Sequence, residues 1–135
     1  VRASLRMMER EGLANVYARH ARLCRATRAA ASALGLKLLA PDSPSPAATG
    51  IYMPDGIDAD QVLDYLRDKM NITLAEGQDQ LKGKVIRIAH IGYMGAFDVI
   101  TAIAALEMAL RKFGAEIPFG RGVAAAQEVL MEALA

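Results

Sequence analysis

The sequence predicts one small α+β domain, in which helices cover one face of a small, mainly antiparallel sheet of three or four strands that follows a long two-part N-terminal helix. Long segments with apolar residues at helical spacing are separated by short apolar runs that glycine and proline bound. The hydrophobic fraction is 53% over 135 residues, which is enough for one packed core. Short strands with mixed connections favour an α+β layer over a parallel sheet.

The N-terminal part predicts two consecutive helices. Residues 2–11 form the first, and Gly12 ends it, since glycine is the usual helix terminator. The second helix runs to Gly35, and its apolar stripe should lie in the core. The stripe consists of Leu13, Val16, Tyr17, His20, Leu23, Cys24, Thr27, Ala30, Ala31 and Leu34. Residues 36–40 are a short strand candidate, and the prolines within 41–46 predict a loop.

The central part predicts two strands around a helix. Residues 48–53 form a strand that a Pro-Asp-Gly turn closes. Asp58 and Gln61 approximate a capping box at the start of a helix that runs to Met70. Residues 72–75 are a second short strand, after which the chain enters a polar loop.

The C-terminal part opens with the most strand-like stretch, residues 84–90. Alternation places two sets of side chains on opposite faces: Val85, Arg87, Ala89 and Ile91 on one, and Ile86, Ile88 and His90 on the other. The segment from Gly92 to Gly95 then turns into a helix over 96–113. A glycine-rich turn precedes the last helix, 123–134.

Charge is distributed unevenly along the chain. Residues 1–37 hold eight basic and two acidic residues, and residues 38–80 hold two basic and eight acidic. A basic arm can bind nucleic acid, but the arginines follow helical spacing, so we interpret them as a solvated or partner-facing helix surface without a nucleic-acid partner. The apolar runs are too short to predict a membrane span.

Cysteine and histidine are scarce, which excludes several kinds of site. Cys24 stands alone, so it forms no internal disulfide and favours a reducing, cytoplasmic compartment. Together with His20 and His90 it is too little for an iron–sulfur cluster or a structural zinc site, and we expect no metal. Both histidines are interpreted as packed residues rather than catalytic bases.

Arg87 is the candidate binding residue. It lies between Ile86 and Ile88 in the middle of a strand, where an unpaired guanidinium is costly to bury. Its planar fork is suited to a carboxylate, which it can bind through two parallel hydrogen bonds. The residue pattern leaves two alternatives open: a bound anionic ligand, or an ion pair with one of the chain's own carboxylates.

Several segments resemble class V aminotransferases of the alanine–glyoxylate and serine–glyoxylate type. The resemblance rests on residues 81–93, 97–100 and 102–107, and it extends to Glu11-Gly12-Leu13, Arg19-His20, 33–36, Ser45-Pro46 and 122–128. It implies the C-terminal small domain of a fold-type-I enzyme. On that basis residues 1–11 end a helix linked to a missing large domain, 12–118 form the small domain, and 119–135 form a C-terminal helix.

The resemblance also implies a chemistry. The parent protein would be a homodimeric pyridoxal-phosphate enzyme that moves an amino group from a small L-amino acid, such as alanine or serine, to glyoxylate or pyruvate. Arg87 would hold the substrate α-carboxylate. The Schiff-base lysine would lie upstream, because none of this chain's lysines stands in a matching motif; they are Lys37, Lys69, Lys82, Lys84 and Lys112. This chain alone would carry no catalytic residue and bind no cofactor.

Two features limit the resemblance. The loop Glu76-Gly77-Gln78-Asp79 departs from the Gly-Gly-x-Gly run of many relatives, which puts an active-site role of the loop in doubt. Some relatives are labelled as the small subunit of a soluble hydrogenase, and the single cysteine argues against that chemistry here. The alternative function is a free-standing α+β binding module without catalysis.

Overall fold

A computed structural model describes residues 1–132, which form five α-helices and a three-stranded sheet. The elements are α1 (Arg2–Glu11), α2 (Leu13–Ala33), β1 (Ala48–Tyr52), α3 (Ala59–Met70), β2 (Ala75–Glu76), β3 (Val85–Ala89), α4 (Ala96–Lys112) and α5 (Arg121–Met131). A short 3-10 helix, Asp79–Leu81, lies between β2 and β3. The predicted α+β class, antiparallel sheet and two-part N-terminal helix are confirmed. No helix of this part of the chain is long and apolar enough to cross a membrane.

Strand β3 is the centre of the sheet. The strand order is β1-β3-β2, and β3 pairs antiparallel with both neighbours. Ile86 and Ile88 of β3 are fully buried against a helix layer that includes Leu66 of α3 and Ile103 and Leu106 of α4. Helices α2 and α5 pack against each other and against α4. The core therefore lies between one face of the sheet and these helices.

The predicted stripe of α2 is buried only in part. Val16, Leu23 and Cys24 are buried as expected, but Leu13 is 52% exposed and Tyr17 is 67% exposed. Periodicity identifies the apolar face of a helix, whereas burial also requires a partner along its whole length. The first turns of α2 lie beside α1 and the loop that follows β3, and α1 itself contributes no buried residue.

Two predicted strands differ in the structure. Residues 36–40 are not a strand, because only Leu38 forms a bridge, with Ile51, before the prolines end the pairing. The second, predicted over 72–75, forms only at Ala75–Glu76. Its apolar residues pack half-buried against the core from irregular backbone, so apolar character was mistaken for pairing.

Helix ends follow the capping residues closely. Asp58 Oδ1 accepts a hydrogen bond from Gln61 N at 3.0 Å, which confirms the predicted start of α3. Asn71 ends the same helix in the left-handed conformation with φ 55°. Each capping residue lies within a few residues of the helix end that it defines, so both ends of α3 can be predicted from the sequence alone.

Helix α5 begins two residues earlier than predicted, at Arg121, and its predicted end at Leu134 lies outside the described residues. Gly122 is therefore in the first turn of the helix rather than in a loop. A Cβ atom there would stand 2.8 Å from Glu107 Oε1 and 2.8 Å from a Leu34 methyl carbon. The glycine serves close packing between helices instead of a turn.

Glu107 joins α4 to the start of α5. Its side chain is buried, and its two carboxylate oxygens accept hydrogen bonds from the backbone N–H groups of Gly120 and, at 3.0 Å, Val123. These donors belong to the first turn of α5, where N–H groups lack partners within the helix and a negative charge is favourable. Glu107 thus acts as an N-cap supplied by another helix.

We expect Glu107→Ala to destabilise the chain by about 2–4 kcal/mol, since it leaves two part-buried N–H donors without their acceptor and opens a small cavity at the buried side chain of Glu107. Glu116→Ala is the control, because Glu116 is exposed and its loss should cost under ~0.5 kcal/mol. Urea unfolding followed by circular dichroism measures both. Equal stability of the two variants would contradict a capping role for Glu107.

His90 lies in the core, as predicted, but its partner is a side chain rather than the backbone of the next turn. Nε2 lies 3.0 Å from Thr49 Oγ1 on the neighbouring strand. Nδ1 is buried and has no hydrogen-bond partner within residues 1–132. Burial lowers the pKa of His90 below its ordinary 6.5, His20 lowers it further, and the Pro46 carbonyl acts in the opposite direction. His90 is therefore neutral in the folded chain at pH 7.

Stability should fall as the pH drops below about 6.5, because His90 then takes up a proton in the unfolded chain more readily than in the folded one. The slope that one such group adds is at most about 1.4 kcal/mol per pH unit. We expect His90→Leu to flatten the dependence of unfolding free energy on pH between 6.5 and 5, whereas His20→Leu should largely keep it. Denaturant titrations across this range provide the test, and an unchanged slope in His90→Leu would refute it.

Candidate functional site

Arg87 lies on the sheet face that points away from the helix core. Its cross-strand neighbours are Gly50 of β1 and Ala75 of β2, and the next residue on the same face is Ala89. Ala75 and Ala89 are exposed, and Arg87 itself is half-buried. The strand neighbours of Arg87 are thus small, although the Leu39 side chain packs over Gly50. The predicted alternation is confirmed for residues 86–90, whereas Val85, predicted on the same face as Arg87, is fully buried.

The guanidinium of Arg87 is held by one backbone group. Its Nε donates a hydrogen bond to the carbonyl oxygen of Glu76, at 2.9 Å. Of the two alternatives left by the sequence, an internal ion pair is not found: within residues 1–132 no carboxylate lies within 4.0 Å of this side chain. The terminal nitrogens Nη1 and Nη2 likewise have no hydrogen-bond acceptor in this part of the chain. The fork can therefore accept an external anion.

The turn after β2 sets the position of that carbonyl. Gly77 N donates to Val85 O at 2.8 Å, so the turn stays attached to the start of β3. Asp79 has a φ of 49°, in the left-handed region that glycine adopts more readily.

A second polar cluster centres on Arg19 of α2. Its Nε and Nη2 donate to the two carboxylate oxygens of Glu11, at 2.6 and 2.8 Å, and its Nη1 donates to the carbonyls of Gly92 and Met94, each at 2.8 Å. The hydrogen bond from Arg19 lowers the pKa of Glu11, and the same bond raises the pKa of Arg19. Arg19 therefore ties α1 and α2 to the loop that follows β3. The sequence showed it only as one arginine of a helical set.

An apolar groove of about 370 Å³ adjoins this cluster. Met7 and Met8 of α1 line one side, and Ile91 and Tyr93 of the loop line the other. Tyr93 is 87% exposed, and Phe97 at the start of α4 is 81% exposed. Large exposed apolar side chains gathered in one region are typical of a contact surface.

The other candidate residues have structural positions. His20, predicted to be in the core, is half-buried at its edge, with Nε2 3.3 Å from Gly92 O. Cys24 is a buried free thiol, as expected of an inert cysteine. Gly92 and Gly95 bound a strand-to-helix turn, and Gly95 N donates to Asp98 Oδ2 at 2.7 Å. Within residues 1–132 no group of three or more His, Cys, Asp and Glu side chains is placed to bind a metal ion.

The arginines of the N-terminal helices also divide by position. Arg2, Arg6 and Arg10 of α1 are exposed. Arg25 pairs with Glu132 at 2.8 Å, and Arg28 donates to backbone carbonyls of the proline loop. The basic segment is thus partly used for internal contacts and partly a solvated helix face.

The chain is similar to known proteins over nearly all of its length. The chain is 44% identical over 135 residues to the soluble hydrogenase small subunit of Synechococcus sp., covering 98% of this chain and 35% of that protein. It is 41% identical over 134 residues to the serine–glyoxylate aminotransferase of Methylorubrum extorquens, covering 98% and 33%. The crystal structure of pyridoxamine–pyruvate aminotransferase from Mesorhizobium loti superposes with a TM-score of 0.90 at 32% identity, covering 97% and 34%. No protein-family model matches the chain.

These matches share one pattern. The chain spans about a third of the length of the curated relatives it matches. The match covers almost all of this chain. The resemblance predicted from β3 and α4 is confirmed, including the hydrogenase label. Nearly the whole chain is therefore homologous to a segment that makes up about one third of the length of class V glyoxylate aminotransferases. It shares their fold in that segment.

Proposed function

We propose that this chain is the substrate-binding small domain of an aminotransferase that moves an amino group from a small L-amino acid to glyoxylate or pyruvate. The observation that carries the proposal is that Arg87 lies on the outer face of the sheet and that its two terminal nitrogens have no hydrogen-bond acceptor within residues 1–132. Its role would be to bind the α-carboxylate shared by amino donor and 2-oxo acid acceptor. A fixed, two-point anchor of this kind orients the substrate for reaction.

The residues of this chain do not fit a pyridoxal phosphate site. A Schiff-base lysine reacts as the neutral amine, which a partly desolvated pocket favours. All the lysines of this chain are exposed instead, and Lys37 lies over the ring of Tyr52. The cofactor would be bound by the rest of a longer protein, where it supplies the electron sink of transamination. We therefore assign to this chain the binding of substrate and no step on the cofactor.

The N-terminal helix supports the proposal that a second, larger domain accompanies this chain. Helix α1 contributes no buried residue, while Leu5, Met7 and Met8 are 37–52% exposed. We infer that residues 1–11 belong to the connection with a large domain and that this domain covers the groove between α1 and the β3–α4 loop. Residues 12–118 and the final helix from 119 onward would form the small domain, in a homodimeric cytoplasmic protein.

The alternative is a free-standing binding module. The two hypotheses differ in how much coding sequence they require upstream of residue 1. An open reading frame that continues for ~250 residues upstream and contains a Schiff-base lysine motif matches a two-domain enzyme. A reading frame that begins near residue 1 would favour the free-standing module.

In the longer protein, Arg87→Lys should lower kcat/KM for the amino donor by ~10²-fold or more, because lysine keeps the charge but loses the fork. Cofactor absorbance should stay unchanged. Arg67→Lys is the matched control, since Arg67 is exposed and, within residues 1–132, pairs only with Asp64 and Asp68 on its own helix. Steady-state kinetics with varied amino donor measures the effect. A kcat/KM equal to that of the control would remove Arg87 from the site.

The chain by itself should be folded and without transaminase activity. It should fold because one core joins the sheet to four helices. Activity should be absent because the lysines do not fit a cofactor site, and one exposed charge contact is worth ~1 kcal/mol or less. Circular dichroism tests folding, and pyruvate formation from L-alanine and glyoxylate with added pyridoxal phosphate tests activity. Turnover with a stable visible band of bound cofactor would show that the active site lies in this chain.

A further inference from the structure

The guanidinium of Arg87 has two edges that could grip a carboxylate. One edge consists of Nε and an Nη, and the other consists of Nη1 and Nη2. The carbonyl of Glu76 occupies Nε at 2.9 Å, which blocks the first edge. The second edge has no acceptor within residues 1–132. A carboxylate that makes two hydrogen bonds to Arg87 without displacing this bond therefore approaches end-on, through both terminal nitrogens.

Gly77 determines where the Glu76 carbonyl lies. The residue is buried in a turn that Leu81 N closes onto Gln78 O at 2.9 Å. A Cβ atom on Gly77 would stand 2.3 Å from the carbonyl oxygen of Leu81 and 2.7 Å from its carbonyl carbon. Backbone atoms cannot turn aside as a side-chain tip can, so any other residue would force the turn open. Its φ is not positive, so space and not backbone conformation requires the glycine.

The turn transmits this constraint to Arg87 through two backbone contacts. Glu76 pairs with Ile86 on β3, and the adjoining Gly77 N donates to Val85 O. These contacts hold the Glu76 carbonyl next to the side chain of Arg87. Opening the turn would withdraw the acceptor from Nε and free the guanidinium to rotate.

We infer that Gly77 is a positioning residue, which fixes the Glu76 carbonyl so that Arg87 presents its two terminal nitrogens to a substrate carboxylate. The inference rests on the proposed function for its ligand and adds the geometry of binding. The Glu76 carbonyl satisfies Nε without neutralising the charge, so the full positive charge remains for the ligand.

The first test uses this chain alone and compares the wild type with Gly77→Ala. In the wild type, the Nε proton of Arg87 should exchange with solvent about fivefold more slowly than that of exposed Arg6, the factor expected of one net hydrogen bond. Proton exchange measured by ¹⁵N-detected NMR gives both rates. In Gly77→Ala the protection should vanish while the amide signals of α4 persist. Equal rates for Arg87 and Arg6 in the wild type would overturn the inference.

The matched control is Gly95→Ala. Gly95 also has a negative φ, but a Cβ there meets nothing closer than Asp98 Oδ2 at 3.7 Å. This variant should keep the slow exchange of Arg87 Nε. Loss of protection in both variants would show a general loosening of the fold and would also count against the inference.

The second test uses the longer aminotransferase and separates this inference from the proposed function. Gly77→Ala should raise KM for the amino donor about tenfold with a smaller change in kcat, and it should have no further effect when added to Arg87→Lys. Full additivity of the two changes would reject Gly77 as a positioning residue. If Arg87→Lys alone leaves kcat/KM unchanged, the proposed function fails. If only Gly77→Ala is silent, the inference fails and the function stands.

Discussion

The alternation of side chains along β3 is the constraint on which both the core and the candidate site depend. Ile86, Ile88 and His90 point to the helices and are buried, so Arg87 between them points outward. A shift of one residue in the pairing would place the guanidinium in the core and two isoleucines in solvent. Antiparallel neighbours on both sides of β3 fix this register from two directions. The apolar core thus determines where the arginine can be.

Away from the sheet, two charged side chains hold the outer helices. Arg19 connects Glu11 on α1 with the loop after β3, and Glu107 connects α4 with the first turn of α5. Each satisfies backbone groups that would otherwise lack partners, which is why each is worth more than an exposed ion pair. Helix α1 buries no residue of its own, so its position depends on such contacts. The groove beside Arg19 is shaped by polar bonds at its base and apolar side chains on its walls.

The sequence predicted what depends on near neighbours in the chain. Helix ends at Gly12 and Asp58 were located from capping signals, and period-two alternation placed Arg87 on the face opposite Ile86 and Ile88. The start of α5 was misplaced because Gly122 looks like a turn residue until Glu107 is brought beside it. The roles of Arg19 and Glu107 could not be predicted, since their partners lie 75 and 16 residues away along the chain. Long-range partners of polar groups leave no periodic signal.

Arg19 and Arg87 show how a structural arginine differs from one that can bind a ligand. Arg19 uses all three of its nitrogens, with a carboxylate at one edge and two carbonyls at the other. Its charge is compensated by Glu11, and four of its five N–H donors have acceptors within residues 1–132. Arg87 has a single carbonyl on Nε, which supplies geometry without compensating charge. Substrate recognition requires that second state, because a guanidinium already paired with a carboxylate would exchange one ion pair for another with little net gain. The half-buried setting of Arg87 keeps its side chain in place, and its terminal nitrogens, which have no acceptor within residues 1–132, would bind the carboxylate.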